Sequence, residues 1–191
     1  MRKIILASAS PRRKEILEKT GLRFIVDESE YEENNHIGLG PVKLAISHSR
    51  GKAMDIMPGY KNALVISADT IVVSGKKIFG KPRNAAEAAV MLRALSGKAH
   101  SVITGFTILD TASKKIFSKA VESKVFFKKL AEKEIMAYIR SGEPMDKAGS
   151  YGVQGLGAVI VRRIEGDFFN VMGLPLNELV IALKKFGVKV L

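Results

Sequence analysis

An apolar run, Ile4-Ile5-Leu6-Ala7, passes through Ser8-Ala9-Ser10 into Pro11-Arg12-Arg13, and this strand, small-residue turn and helix start set terms for the rest of the chain. Ser10 suits an N-cap and Pro11 the first helical position, where its missing N–H is one that a helix leaves unpaired anyway. The free amides of that turn and two guanidinium groups then converge on one place, an arrangement suited to a phosphate chain. A capped surface helix with two solvated arginines is the plain alternative, and the motif alone does not choose between them.

Strand and helix patterns alternate after it. Residues 11–19 read as a helix with Ile16 and Leu17 inward and Gly21 as its stop. Residues 24–26 read as a short strand leading into Asp27-Glu28-Ser29-Glu30-Tyr31-Glu32-Glu33, an acidic run in a basic protein. That run is either a solvated loop or a segment of which one or two carboxylates hold a metal opposite the cationic turn. Gly38 and Gly40 make a hinge before Pro41, which opens a helix to about residue 57 with Val42, Ala45, Ile46, Ser49, Ala53 and Ile56 on one side. Lys52 lies beside that face, as a snorkelling lysine or as a ligand for an anion.

Residues 63–67 read as a buried strand with Asp69-Thr70 at its C-terminal end before more strand over 71–73, and the C-terminal end is the side on which open α/β sheets bind ligands. An acid interrupting an apolar run is informative, because burying it unpaired is costly. Ser74-Gly75-Lys76-Lys77 reads as a hairpin turn, and Lys81 is held between Gly80 and Pro82, aimed at a ligand or simply part of a turn. Asn84 and Glu87 suggest a capping box for a helix to residue 95, with Ala88, Met91, Leu92 and Leu95 inward. A long strand through Val102, Thr104, Phe106 and Ile108 turns at 110–115 and returns antiparallel over 116–127. A helix over 131–140 carries Ile135, Met136 and Ile139. A glycine-rich loop over 141–157 follows, then an apolar strand over 158–164 and a last helix to about residue 186.

The length, 191 residues, suits one fairly large domain or two small lobes. No apolar run approaches the ~20 residues of a membrane span, and residues 4–7 are too short for a signal-peptide core. With no cysteine, disulfides, thiolate zinc sites and cysteine nucleophiles are excluded, and a cytoplasmic location is expected. The net charge of +12 favours polyanionic partners, but the lysines are spread along the chain without a dense tail or an aromatic RNA-binding signature.

Ser8-Ala9-Ser10-Pro11-Arg12-Arg13, Ser67-Ala68-Asp69-Thr70, Gly80-Lys81-Pro82, Ser96-Gly97-Lys98, Asp146-Lys147-Ala148-Gly149 with Tyr151-Gly152-Val153-Gln154-Gly155, and residues 170–176 closely resemble, in order and nearly end to end, the Maf family of nucleoside triphosphate pyrophosphatases. The resemblance implies a single family domain over 1–191 with an α/β fold like that of the inosine triphosphate pyrophosphatases: a long twisted mixed β-sheet flanked by helices, and two lobes with a central cleft. It implies a divalent cation, Mg²⁺ or Mn²⁺, a homodimer, and hydrolysis between the α and β phosphates as house-cleaning of nucleotide pools. Residue by residue it gives Ser8, Arg12 and Arg13 as the phosphate-binding turn, Asp69, Lys52 and Lys81 as catalytic, and Glu33 with Asp69 as metal ligands. Asp146 and Lys147 join substrate binding. Arg12, Thr70 and Gln154 match the branch acting on dTTP and UTP, where the 7-methyl-GTP branch carries tryptophan, glutamine and glutamate. Ser49-Arg50-Gly51-Lys52 departs from the family's more usual Ala-x-Glu-Lys.

The chemistry fits these residue types. A triphosphate carries about four negative charges, which Arg12, Arg13, Lys52, Lys81 and a metal can offset. Asp69 is read either as general base towards the attacking water or as metal ligand only. The Gln154 amide both donates and accepts, matching the imide edge of uracil or thymine. His36, His48 and His100 lack close metal-ligand spacing and read as surface or core histidines. Ser8 and Ser10 have no recognisable triad partners, and Gly155-Leu156-Gly157 lacks the helix that a dinucleotide fingerprint requires. The rival from another class is a nucleotide- or nucleic-acid-binding regulator of cell division, acting in septum formation. A pyrophosphatase for modified nucleotides stands between the two.

Overall fold

A computed structural model of the chain describes residues 2–34 and 38–191; His36 lies outside the described residues. The strands are β1 (Lys3–Ala7), β2 (Ile25–Val26), β3 (Ala63–Ser74), β4 (Lys77–Phe79), β5 (Ala99–Asp110), β6 (Ile116–Phe127) and β7 (Val161–Glu165). They form one seven-stranded sheet in the order β2-β1-β3-β5-β6-β7, with β4 paired to β3 off this path. β1 runs parallel to β2 and β3, whereas β4 is antiparallel to β3 and β7 to β6, so the sheet is mixed as expected. The helices are α1 (Pro11–Glu18), α2 (Pro41–Ile56), α3 (Ala85–Leu95), α4 (Glu132–Arg140), α5 (Phe168–Met172) and α6 (Leu176–Lys184). Among the described residues no helix is long and apolar enough to cross a membrane.

Two compact units are built from discontinuous stretches of chain. The first comprises Met1–Asp69, Thr104–Val121 and Gly173–Leu191; the second comprises Thr70–Ile103 and Glu122–Met172. In the first, β1 and β3 bury Ile5, Ala7, Ala63 and Val65 with Ala53 and Ile56 of α2 and Leu109 of β5. α2 lies hard against β5: a Cβ added to Gly105 would fall 2.4 Å from the carbonyl carbon of Ala45, which explains a glycine inside a strand. In the second unit, Leu92 and Leu95 of α3, Ile135 and Ile139 of α4, and Val125 and Phe127 of β6 share a core with Tyr151.

Several details differ from the sequence reading. β3 is one continuous strand of 12 residues, so Asp69 lies within it instead of at the end of a first strand with a second one following. The expectation fails because β1 pairs with β3 only as far as Ser67, and β3 outlasts its neighbour. α2 buries Leu44 and His48 and leaves Val42 exposed. α4 buries Tyr138 in place of Met136, since the tyrosine hydroxyl finds a carboxylate in Glu143 at 2.9 Å. The last strand starts at Val161, after a 3₁₀ turn over Gly155–Val159, because the amides of Leu156 and Gly157 already donate to Glu143. Asn84 caps α3 by accepting from the Glu87 amide, but the Glu87 carboxylate bonds Arg83 instead of closing the capping box.

Candidate active site

In the first unit the turn after β1 folds as its sequence requires. Ser10 is the N-cap of α1, its hydroxyl accepting from the Arg13 amide at 3.4 Å, with Pro11 in the first turn. Ser8 is buried, and its hydroxyl oxygen accepts from the Ser10 amide at 3.2 Å and from Arg13 Nη1 at 3.3 Å. Arg13 Nε donates to the carbonyl of Gly173 at 2.8 Å. These bonds hold the Arg13 guanidinium beside the turn. Burial lowers its pKa from the usual value, against the opposing pull of Asp69 and Glu33.

Asp69 is 4% exposed. Lys52 donates to its Oδ1 at 2.7 Å and also to Glu33 Oε1, so one ammonium joins two carboxylates that lie far apart in sequence. The alignment has a local cause. Ser67, two residues before Asp69, donates its hydroxyl to the carbonyl of Ser49, one turn before Lys52, at 2.6 Å. The Ser49 hydroxyl lies 2.8 Å from that of Thr107 on β5, so α2 is fixed to two strands within a turn of the lysine.

Burial raises the Asp69 pKa, but the charges of Lys52 and Arg13 and the hydrogen bond from Lys52 outweigh it, leaving the carboxyl below its usual range. Its second oxygen, Oδ2, is buried with no hydrogen-bond partner. Few native carboxylates leave an oxygen so placed without a partner, and the group has capacity for a water proton or a cation. Among the described residues no cluster of three or more His, Cys, Asp or Glu side chains is assembled. Glu33 and Asp69 are nonetheless two hard oxygen donors around a position that already holds an ammonium. That donor set fits Mg²⁺ or Mn²⁺ if substrate phosphates and water complete the shell.

Arg12, in the first turn of α1, is half-buried; the other residues of interest belong to the second unit. Thr70 follows Asp69 on β3 and is half-buried. Lys81 is exposed, on a turn tied down by the Gly149 amide, which donates to the carbonyl of Gly80 at 3.0 Å. Lys147 Nζ donates to Asp146 Oδ1 at 2.6 Å and to the carbonyl of Glu143, so Asp146 and Lys147 are paired with each other. Gln154 is half-buried in the loop that Glu143 organises. The Glu143 carboxylate accepts from Tyr138 at 2.9 Å, from the Leu156 amide at 2.8 Å and from the Gly157 amide at 3.0 Å. Sequence reasoning passed over Glu143; its one visible signal was a carboxylate opening a loop rich in unpaired amides.

His48 and His100 are both buried. His100 Nε2 lies 2.7 Å from the Tyr151 hydroxyl, and burial lowers its pKa to about 4, so it is neutral at physiological pH. Asn170 is also structural, its Nδ2 donating to the Val102 carbonyl at 3.1 Å and to the Ser123 hydroxyl oxygen at 2.9 Å.

Comparison with known proteins gives the family. The Maf-like protein family matches residues 3–186. A protein of Methanosarcina barkeri named dTTP/UTP pyrophosphatase is 49% identical over 191 residues, 100% of this chain and 97% of that protein. Another of that name from Methanosarcina mazei is 47% identical with the same coverage. One from a Geobacillus species is 47% identical over 98% of this chain and 100% of its own length. Among solved structures, a HAM1 protein from Coxiella burnetii is 19% identical, with a TM-score of 0.38 over 65% of this chain and 73% of that one.

Proposed function

The chain belongs to the Maf family, and from that premise we propose that it hydrolyses dTTP and UTP between the α and β phosphates, yielding the nucleoside monophosphate and pyrophosphate. The observation that carries the mechanism is the Asp69 carboxylate, buried and ionised, with Oδ1 on Lys52 and Oδ2 without a partner. Oδ2 accepts a hydrogen bond from the attacking water and then its proton. The water oxygen bonds to the α phosphorus while the bridging P–O bond to the β phosphate breaks, and the electron pair of that bond leaves with pyrophosphate. Arg12, Arg13, Lys52 and Lys81 carry the phosphate charge, and Ser8 fixes the arginine beside it. Glu33 and Asp69 would hold Mg²⁺ or Mn²⁺. When bound, that cation neutralises phosphate charge and acts as a Lewis acid.

Base selection is assigned to Gln154, with Arg12 and Thr70 completing the pyrimidine pattern and Asp146 and Lys147 supporting the bound nucleotide. The homodimer belongs to the same proposal. Asp69→Asn keeps the shape and an acceptor for Lys52 but loses the base. Its turnover of dTTP is expected to fall by at least about 100-fold with nucleotide binding retained. Unchanged turnover would remove Asp69 from the mechanism.

A further inference from the structure

The acidic run before α2 is not simply a solvated loop. Residues 29–33 lie strapped along the helix. The Ser29 hydroxyl and the Glu30 amide both donate to Asp55 Oδ2 at 2.9 Å. The Tyr31 amide donates back to the Ser29 hydroxyl oxygen at 3.1 Å, closing the segment on itself. The Tyr31 hydroxyl lies 3.5 Å from Nδ1 of buried His48, and Glu33 receives Lys52. His48, Gly51, Lys52 and Asp55 recur at helical spacings of three and four, so the strap follows a single face of α2.

Gly51 makes the fit possible. A Cβ built on it would fall 2.2 Å from Cε2, 2.4 Å from Cζ and 2.7 Å from Cδ2 of Tyr31. The tyrosine ring therefore fills the space that any other residue at 51 would occupy. Glycine is a poor choice for a helix interior, and nothing about α2 alone calls for it one residue before Lys52. The ring and the notch are a matched pair two residues from Glu33 on one side and adjacent to Lys52 on the other.

We propose that Tyr31, seated on Gly51, is a positioning residue that holds the Glu33 carboxylate on Lys52 and so beside Asp69. This rests on the reading of Glu33 and Asp69 as the cation-binding carboxylates. Without the seat, the strap keeps its attachment at Asp55 but Glu33 loses the contact two residues away that sets its position on Lys52.

The test uses Gly51→Ala, Tyr31→Ala, Tyr31→Phe and Glu33→Gln in the full chain, with turnover of dTTP and, separately, Mn²⁺ affinity of the nucleotide-free protein by electron paramagnetic resonance. Alanine is the better helix former, and thermal denaturation of each variant separates lost function from lost folding. Gly51→Ala and Tyr31→Ala are each expected to weaken Mn²⁺ binding and raise the half-saturating Mg²⁺ concentration by about 10-fold. Tyr31→Phe retains native values, because the ring and not its hydroxyl fills the notch. Added to Glu33→Gln, Gly51→Ala has no further effect, since it acts through Glu33. Native Mn²⁺ affinity in Gly51→Ala, multiplying losses in the double variant, or no Mn²⁺ binding by the native protein would each overturn the proposal. If the native protein turns over neither dTTP nor UTP, the proposed function fails while the Mn²⁺ measurements still decide this one.

Discussion

The Asp69 carboxylate owes its ionised state to its neighbours rather than to water, since burial alone would favour the acid. Lys52 and Arg13 supply the compensating charge; Arg13 is fixed by the Gly173 carbonyl and the Ser8 hydroxyl, and the helix that carries Lys52 is tied to β3 by the bond from Ser67 to the Ser49 carbonyl. At this scale the sequence was readable for residue type and blind to pairing. An acid within an apolar run announced Asp69, but nothing in the spacing of Glu33, Lys52 and Asp69 reveals that one ammonium bridges both carboxylates. Gln154 is the residue to which specificity is assigned. Gln154→Glu removes a donor and adds a negative charge near a polyanionic substrate. It is expected to lower kcat/KM for dTTP by at least about 10-fold, with thermal stability little changed because position 154 is only half-buried. Equal kcat/KM in steady-state assays of the two forms would count against the contact.

Among the elements, the glycine-rich loop is the one whose order has to be explained. Its glycines allow tight turns, with Gly142, Gly149 and Gly155 at positive φ, but they supply no side chains to hold the result. Glu143 does so, gathering the Tyr138 hydroxyl and the amides of Leu156 and Gly157 on one carboxylate. The same contacts convert the expected beginning of the last strand into a 3₁₀ turn and draw Tyr138 inward, two departures with one cause. Local pattern could not show this, because the carboxylate and the amides it binds are 13 and 14 residues apart. Glu143→Ala is expected to cost about 1–3 kcal/mol of stability through the orphaned donors and to raise the KM for dTTP more than it lowers kcat. Urea denaturation and steady-state kinetics read the two effects. A native KM would separate this loop from substrate binding.

Over the whole chain, the order of motifs was more legible than their geometry. Strand and helix patterns located each main element of the mixed sheet, because buried runs and amphipathic faces are local properties. The length of β3 and the inward face of α2 depend on which strand ends first and where α2 meets Gly105, so they emerge only from packing. The net charge of +12, which kept a nucleic-acid role in view, carries less weight than a similarity of 47–49% identity to relatives over nearly their full length. The most direct measurement is pyrophosphate release from dTTP, UTP, CTP, dCTP, 7-methyl-GTP, GTP, ATP and ITP, with Mg²⁺ and after its removal by chelation. Metal-dependent release confined mainly to dTTP and UTP is the predicted result. Release chiefly from 7-methyl-GTP or ITP would contradict the assignment of Arg12, Thr70 and Gln154, and release from none would contradict the pyrophosphatase itself.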